Sequence, residues 1–163
     1  MKRGPYNRPS IENVLFLHRL VEEYGAERGF SKSLVEACLN FPFTETYRHT
    51  PYKDVFAKAA ALLYAVISFH PFVDGNKRTA LLVTSLFLAL NGYQFRYPSD
   101  TVEKTIAIAE GKIDIPAIAN WLKSNCVKRR KNTIFYIEIT VDHLRPQIDL
   151  KYLLKRKSDK NKI

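Results

Sequence analysis

The sequence predicts an all-α protein: a small helical bundle with an exposed loop or short hairpin at residues 41–53, followed by a basic extension. Three observations carry that expectation. Apolar residues recur at helical spacing along much of residues 10–125, with Ser or Asp where these runs begin and Gly25, Gly92 and Gly111 where they end. At 163 residues and 46% hydrophobic, the chain has the length and apolar content for one compact domain. That composition excludes a disordered chain and leaves no room for a second full domain.

Taken in order, Ser10 is placed to cap a helix through Ile11, Val14, Leu15, Leu17 and Val21, which Gly25 stops. Ser33 with Glu36 reads as a capping box opening a short helix through Leu34, Val35 and Leu39, ended by Pro42. Residues 41–53 combine β-formers, two prolines and no helical period. From Asp54 to Phe69 the chain is rich in Ala and Leu, with Lys58 the only charge after Asp54. Such a segment is buried on most of its circumference and is expected to be the central helix.

A polar break from His70 to Arg78 overlaps the start of a second apolar helix, Asn76 to Leu90, which Asn91-Gly92 closes. Asp100 with Glu103 starts a further helix that ends at Gly111. Asp114 with Pro116 starts another, carrying Ile118, Trp121 and Leu122, so the sequence reads as all-helical up to residue 125. Beyond it, Lys128–Lys131 is a basic run, Thr133–Val141 alternates as a strand does, and Leu150–Leu154 suits a brief helical turn before a frayed end.

The chain carries a formal charge of +10, and residues 127–163 hold 11 basic against 4 acidic side chains. Most of the excess is thus a property of the tail, and it favours anionic partners. We divide the chain into a helical domain, 1–126, and a basic C-terminal extension, 127–163. Cys38 and Cys126 form no ligand-spaced pair and read as reduced thiols, Cys38 in the core. No apolar segment near the N-terminus suits a secretory signal, and the longest apolar stretch, Ala80–Leu90, is too short to span a bilayer. The expectation is a cytoplasmic protein with no membrane partner. His18, His49 and His143 have no partner at motif spacing and read as surface or packing residues.

The chemistry concentrates in His70–Arg78. Backbone N–H groups around Gly75, Asn76 and Lys77 lie at a helix start, where the dipole and unpaired donors attract phosphate. Lys77 and Arg78 add full charges that are unfavourable for the dipole unless an anion compensates. Asp74 offers a hard oxygen ligand for Mg²⁺, and His70 can accept a proton from a hydroxyl at neutral pH. Taken singly, each has an ordinary reading: a histidine at a helix end caps or packs, and Asp-Gly-Asn is turn chemistry.

His-Pro-Phe-Val-Asp-Gly-Asn-Lys-Arg-Thr-Ala at 70–80 resembles the signature of the Fic/Doc family, and the resemblance extends over about residues 10–125. It implies a small helical bundle that transfers part of a nucleoside triphosphate to a protein hydroxyl. By position, His70 would be the general base, Phe72 the loop's anchor in the core, and Asp74 the Mg²⁺ ligand. Gly75, Asn76, Lys77 and Arg78 would cradle the phosphates of ATP. Residues 41–53 would be a flap pairing with an extended target segment, with Tyr47, Arg48 and Thr50 as candidates, although a mere connecting loop is the plain alternative.

Two departures from the adenylylating pattern, Lys77 in place of a second Gly and Leu81 in place of an Arg, resemble the Doc (death-on-curing) toxin branch. In that branch the γ-phosphoryl group rather than AMP reaches the target. Gly75 still resembles the Fic pattern, which keeps AMP transfer open. No Ser/Thr-x-x-x-Glu-Gly/Asn inhibitory helix is present; Thr105 to Gly111 has one residue too many. The resemblance therefore implies restraint by an antitoxin in trans and a target such as elongation factor Tu. The basic tail leaves contact with acidic antitoxin, ribosomal RNA or another copy open. From a different class, the chain could be an inactive adaptor binding nucleic acid or a partner through that tail.

Overall fold

A computed structural model describes residues 5–47 and 49–128, and among them six α-helices, one 3-10 turn and two short strands. The strand expected at Thr133–Val141, the turn at Leu150–Leu154, most of the basic run, His143 and Arg48 lie outside the described residues. The first helix, α1 (Ile11–Glu22), starts as expected. Ser10 Oγ accepts from the Asn13 N–H, and Asn13 Oδ1 accepts from the Ser10 N–H, closing a capping box.

The second helix, α2 (Lys32–Asn40), begins earlier than its sequence signal. Its N-cap is Ser31, whose Oγ accepts from the Leu34 N–H at 3.4 Å, while Ser33 lies in the first turn. The reason is tertiary: the Ser31 N–H donates to the Pro71 carbonyl at 2.8 Å, holding residue 31 extended beside a distant loop. A 3-10 turn (Phe41–Phe43) containing Pro42 follows. Thr46 and His49 then form an isolated antiparallel bridge, so this segment makes a minimal hairpin.

The core is built on α3 (Val55–Phe69) and α4 (Asn76–Leu90). Asp54 caps α3 by accepting from the Phe56 and Ala57 N–H groups. Ala59–Leu63 and Ala65–Ile67 of α3 and every residue from Thr79 to Ala89 of α4 are buried. Four alanines, at 59, 60, 61 and 65, let neighbours approach α3 closely. It contacts α2, α4, α5 (Thr101–Ala109), α6 (Ile115–Ser124) and the 3-10 turn, while α1 lies on α4. Lys58, the charge inside α3, is 5% exposed and donates to the Pro42 carbonyl at 3.1 Å. Its ammonium lies 4.8 Å from the Phe43 ring centroid, and Arg8 lies 3.8 Å from the same ring.

One strand, β1, corrects the all-helical reading to residue 125, although the class remains mainly α. β1 (Tyr93–Phe95) pairs antiparallel with β2 (Cys126–Lys128), Tyr93 opposite Lys128 and Phe95 opposite Cys126. Strands this short leave no legible alternation. Their pairing follows from burial: Phe95 is 3% exposed, with its ring centroid 5.2 Å from that of Trp121. Asp100, expected to cap α5, makes no cap bond; it accepts the Trp121 Nε1–H at 3.2 Å and so ties α5 to α6. Asp114 caps α6 through the Ala117 N–H.

Cys38 is buried in the core, and burial pushes both its thiol and that of Cys126 up to about 12. Both thiols therefore stay protonated at neutral pH. Among the described residues, no helix is long and apolar enough to cross a membrane.

Leu63 is fully buried whereas Leu34 is 37% exposed. Urea unfolding should show Leu63→Ala losing about 2–5 kcal/mol and Leu34→Ala less than about 1 kcal/mol. Equal losses would mean that α3 is not the centre of the core.

Candidate functional site

The site begins where α3 must stop. His70, its C-cap, adopts a left-handed conformation (φ 49°, ψ 57°) that costs a non-glycine residue about 1 kcal/mol or more. The turn sends Pro71 and Phe72 into the core and leaves His70 exposed. Phe72 is 3% exposed and stacks on His18, with ring centroids 3.7 Å apart and planes at 17°. Asn76 closes the loop: its Oδ1 accepts from the Phe72 N–H at 3.0 Å, and its Nδ2 donates to the Phe72 carbonyl at 2.8 Å.

A strip between α1 and α2 holds the loop from outside. Phe30 bridges Phe72 in antiparallel fashion, with Ser31 N–H donating to Pro71 O and Val73 N–H donating to Gly29 O at 2.9 Å. Gly75 caps α4 with φ 78°, and a Cβ there would lie 2.6 Å from Val21 Cγ1. Only glycine satisfies both the left-handed backbone and the close approach of α1.

Asp74 is held by main-chain donors: Oδ1 accepts from the Gly75 N–H at 2.6 Å and Oδ2 from the Glu27 N–H at 3.2 Å. Those bonds, the Gly75 one foremost, draw its pKa below the ordinary carboxylate range. Arg78 Nη2 stands 4.0 Å from Oδ2. The side chain remains 51% exposed, so the ionised carboxylate keeps lone pairs for a ligand. Among the described residues no three His, Cys, Asp or Glu gather, so a cation at Asp74 would complete its shell with phosphate oxygens and water.

An open groove of about 370 Å³ brings His70, Asp74, Gly75, Asn76, Lys77 and Arg78 together. The N–H groups of Asn76, Lys77 and Arg78 have no acceptor inside α4, because the first turn of a helix cannot supply one. The Gly75 N–H is already given to Asp74, and the Asn76 side chain is spent on Phe72. Any contribution of Asn76 to a bound anion thus comes from its main chain. Lys77 is exposed, and the first turn of α4 carries no acidic residue to offset its two cations.

The flap candidates stand apart from this constellation. Tyr47 is 99% exposed with φ 50°, Thr50 is half-buried, and neither lines the groove. Sequence reasoning singled out Leu81 of α4 but missed the wall beside it: Val102, Thr105, Ile106 and Ala109 of α5, with Val73. The sequence offered only that Val102 and Ile106 are apolar and four residues apart; the fold leaves them 45% and 43% exposed. Glu110, from the near-match to the inhibitory pattern, pairs with Lys112 at 2.6 Å and does not line the groove.

His18 proves to be a packing residue, 1% exposed, with Nδ1 2.9 Å from Thr79 Oγ1 and Nε2 3.4 Å from Glu22 Oε1. Burial outweighs the attraction of Glu22 and Asp74, and the ring's pKa falls below its ordinary value.

The Fic/DOC family model matches residues 9–88. The protein named Protein kinase doc, from Escherichia phage P1, is 37% identical over 115 residues, covering 70% of this chain and 91% of that relative. The chain belongs to the Fic/Doc family. Toxin Doc of Mycolicibacterium smegmatis is 41% identical over 61 residues, which cover 37% of this chain and 47% of that protein. A Fido domain-containing protein of Dictyostelium discoideum is 37% identical over 68 residues, 39% of this chain and 48% of its own length.

Two outcomes test this geometry. Gly75→Ala should lower stability by about 1–3 kcal/mol in urea, and an unchanged midpoint would refute the tight fit against Val21. Because the folded His18 pKa is lowered, the unfolded chain takes up the proton first. Stability should therefore decline as pH falls below about 6.5 and level off once the folded ring also protonates. His18→Gln should flatten that slope in pH-dependent urea titrations, whereas an unaltered slope would exclude His18 as its source.

Proposed function

We propose that this protein is a Doc-like protein phosphotransferase that moves the γ-phosphoryl group of Mg²⁺-ATP to a Ser or Thr hydroxyl of a target protein. The single observation carrying this reading is the shared groove: an exposed histidine, an ionised aspartate, unpaired helix-start N–H groups and two cations line one cavity. His70 takes the proton of the attacking hydroxyl. The hydroxyl oxygen bonds the γ-phosphorus as the bond to ADP breaks; Asp74 would hold Mg²⁺, whose charge would offset that on the phosphate oxygens. The Asn76, Lys77 and Arg78 N–H groups and the Lys77 and Arg78 side chains receive the phosphates, while Phe72 keeps the loop seated.

Phosphoryl rather than AMP transfer is favoured by residues 77 and 81. Lys77 places a long side chain in the cradle, and Leu81, 4% exposed, lines the groove where it supplies no cation. Similarity over 91% of a relative named a protein kinase supports the same choice. In this reading Tyr47, Arg48 and Thr50 belong to a target-docking flap, an antitoxin restrains the enzyme in trans, and a translation factor such as elongation factor Tu is the target. The extension at 127–163 supplies a basic contact surface for the antitoxin or for nucleic acid.

The test is transfer of label from Mg²⁺-ATP in a bacterial lysate, with γ- and α-labelled nucleotide in parallel. Label should come from the γ position alone, and His70→Ala should lower it by about 10²–10⁴-fold with unchanged urea stability. Label from the α position would replace phosphoryl transfer by AMP transfer. His70-independent or absent label would favour a binding protein acting through its tail.

A further inference from the structure

Outside the groove, two cations meet around one ring. Lys58, 5% exposed, lies 4.8 Å from the Phe43 ring centroid and 5.6 Å from that of Tyr6, and Arg8 lies 3.8 Å from the Phe43 centroid. Among the described residues neither cation forms an ion pair, and neither lines the groove, so neither charge serves the phosphates. Burial and the neighbouring Arg8 outweigh the attraction of Glu45 and Asp54, and the Lys58 pKa falls below its ordinary value. A buried ammonium of this kind is a poor source of stability, because an apolar side chain of similar volume would fill the space without its desolvation cost. What the ammonium alone supplies is a donor directed from α3 to the Pro42 carbonyl, at 3.1 Å.

The chain before α1 acts on both ends of the same segment, residues 41–53. At the entry, Arg8 Nη2 donates to the Leu39 carbonyl at 2.8 Å and to Asn40 Oδ1 at 3.1 Å. At the exit, Tyr6 Oη donates to the Lys53 carbonyl at 3.2 Å. Asn7, between these two, bonds the Asn91 side chain and the Leu90 carbonyl at the end of α4, which tethers the strap itself to the core. The tip of the segment is closed by the Thr46–His49 bridge and carries Tyr47, 99% exposed, so its direction follows from where its ends are pinned.

We propose that Lys58 and Arg8 are positioning residues for the protein target: by fixing the ends of residues 41–53 they aim the tip around Tyr47, so that an extended stretch of the target is received in one orientation. This rests on the target-docking reading of that segment above and adds to it two residues that act through the segment rather than on the reacting groups. A segment already held in its binding geometry has less conformational freedom to lose when a partner docks. The contribution therefore falls on capture of the target and not on the transfer step.

The test follows the His70-dependent label from γ-labelled Mg²⁺-ATP, first with lysate protein varied at saturating nucleotide and then with nucleotide varied at saturating lysate. Lys58→Met keeps the apolar stem and removes the donor, and Arg8→Gln changes an exposed position. Each should raise the half-saturating lysate concentration about fivefold or more. The plateau rate and the half-saturating ATP concentration should stay within about twofold of wild type. Arg8→Lys, which keeps a cation over Phe43 and a donor for Leu39, should recover part of the loss. Amide hydrogen exchange should quicken over residues 44–47 in the two disruptive variants and stay unchanged over residues 70–78. Arg8→Gln carries the test by itself if Lys58→Met does not fold. Unchanged half-saturation by lysate, a loss confined to the plateau rate, a raised requirement for ATP, or unaltered exchange at 44–47 would each overturn the positioning role and leave phosphoryl transfer standing. A wild type that gave no His70-dependent label would instead remove the transfer reading, and this role with it.

Discussion

Burial of Phe72 is the interaction on which the site depends. A polar loop between two apolar helices would leave its peptide groups without partners and its position undefined. Phe72 resolves the position by entering the core against His18, and Asn76 resolves the peptide groups by bonding both the N–H and the carbonyl of Phe72. With that residue fixed, His70 is held two positions before it and Asp74 two positions after it. The strained left-handed backbone of His70 persists because its surroundings over-determine it.

Electrostatics supply the second constraint. Lys77 and Arg78 crowd the positive end of α4, and the carboxylate nearest to them, Asp74, is already drawn to the main chain. The first turn is therefore less stable without a ligand than a turn bearing acidic residues would be. An anion bound there would relieve this repulsion, so binding and local stability are coupled. The buried His18 stays neutral beneath the loop, which avoids adding a further charge below the cradle.

The segment after α2 follows a different logic. Its root is fixed by Lys58, which reaches from the core helix to the Pro42 carbonyl and against Phe43. Its tip is open, with Tyr47 almost wholly in water. An anchored root with an exposed tip contrasts with the His70–Arg78 loop, which the Phe72–His18 stack, the Asn76 bonds and the Phe30 bridge tie down.

Much of this was written in local sequence. Ser10, Asp54 and Asp114 cap the helices they precede, and charge-free runs in α3 and α4 mark the buried pair. The segment His70–Arg78 stood out because consecutive residues carry a histidine, a carboxylate and two cations, and the folded chain gathers them in one groove. Caps and periodicity act over one or two turns, so a single stretch of chain can specify them. The start of α2 at Ser31, the use of Asp100 to bind Trp121, the pairing of β1 with β2, and the α5 wall of the groove were decided only when distant segments met. Each depends on which donor, ring or apolar face burial brings alongside, and that selection belongs to the folded chain as a whole.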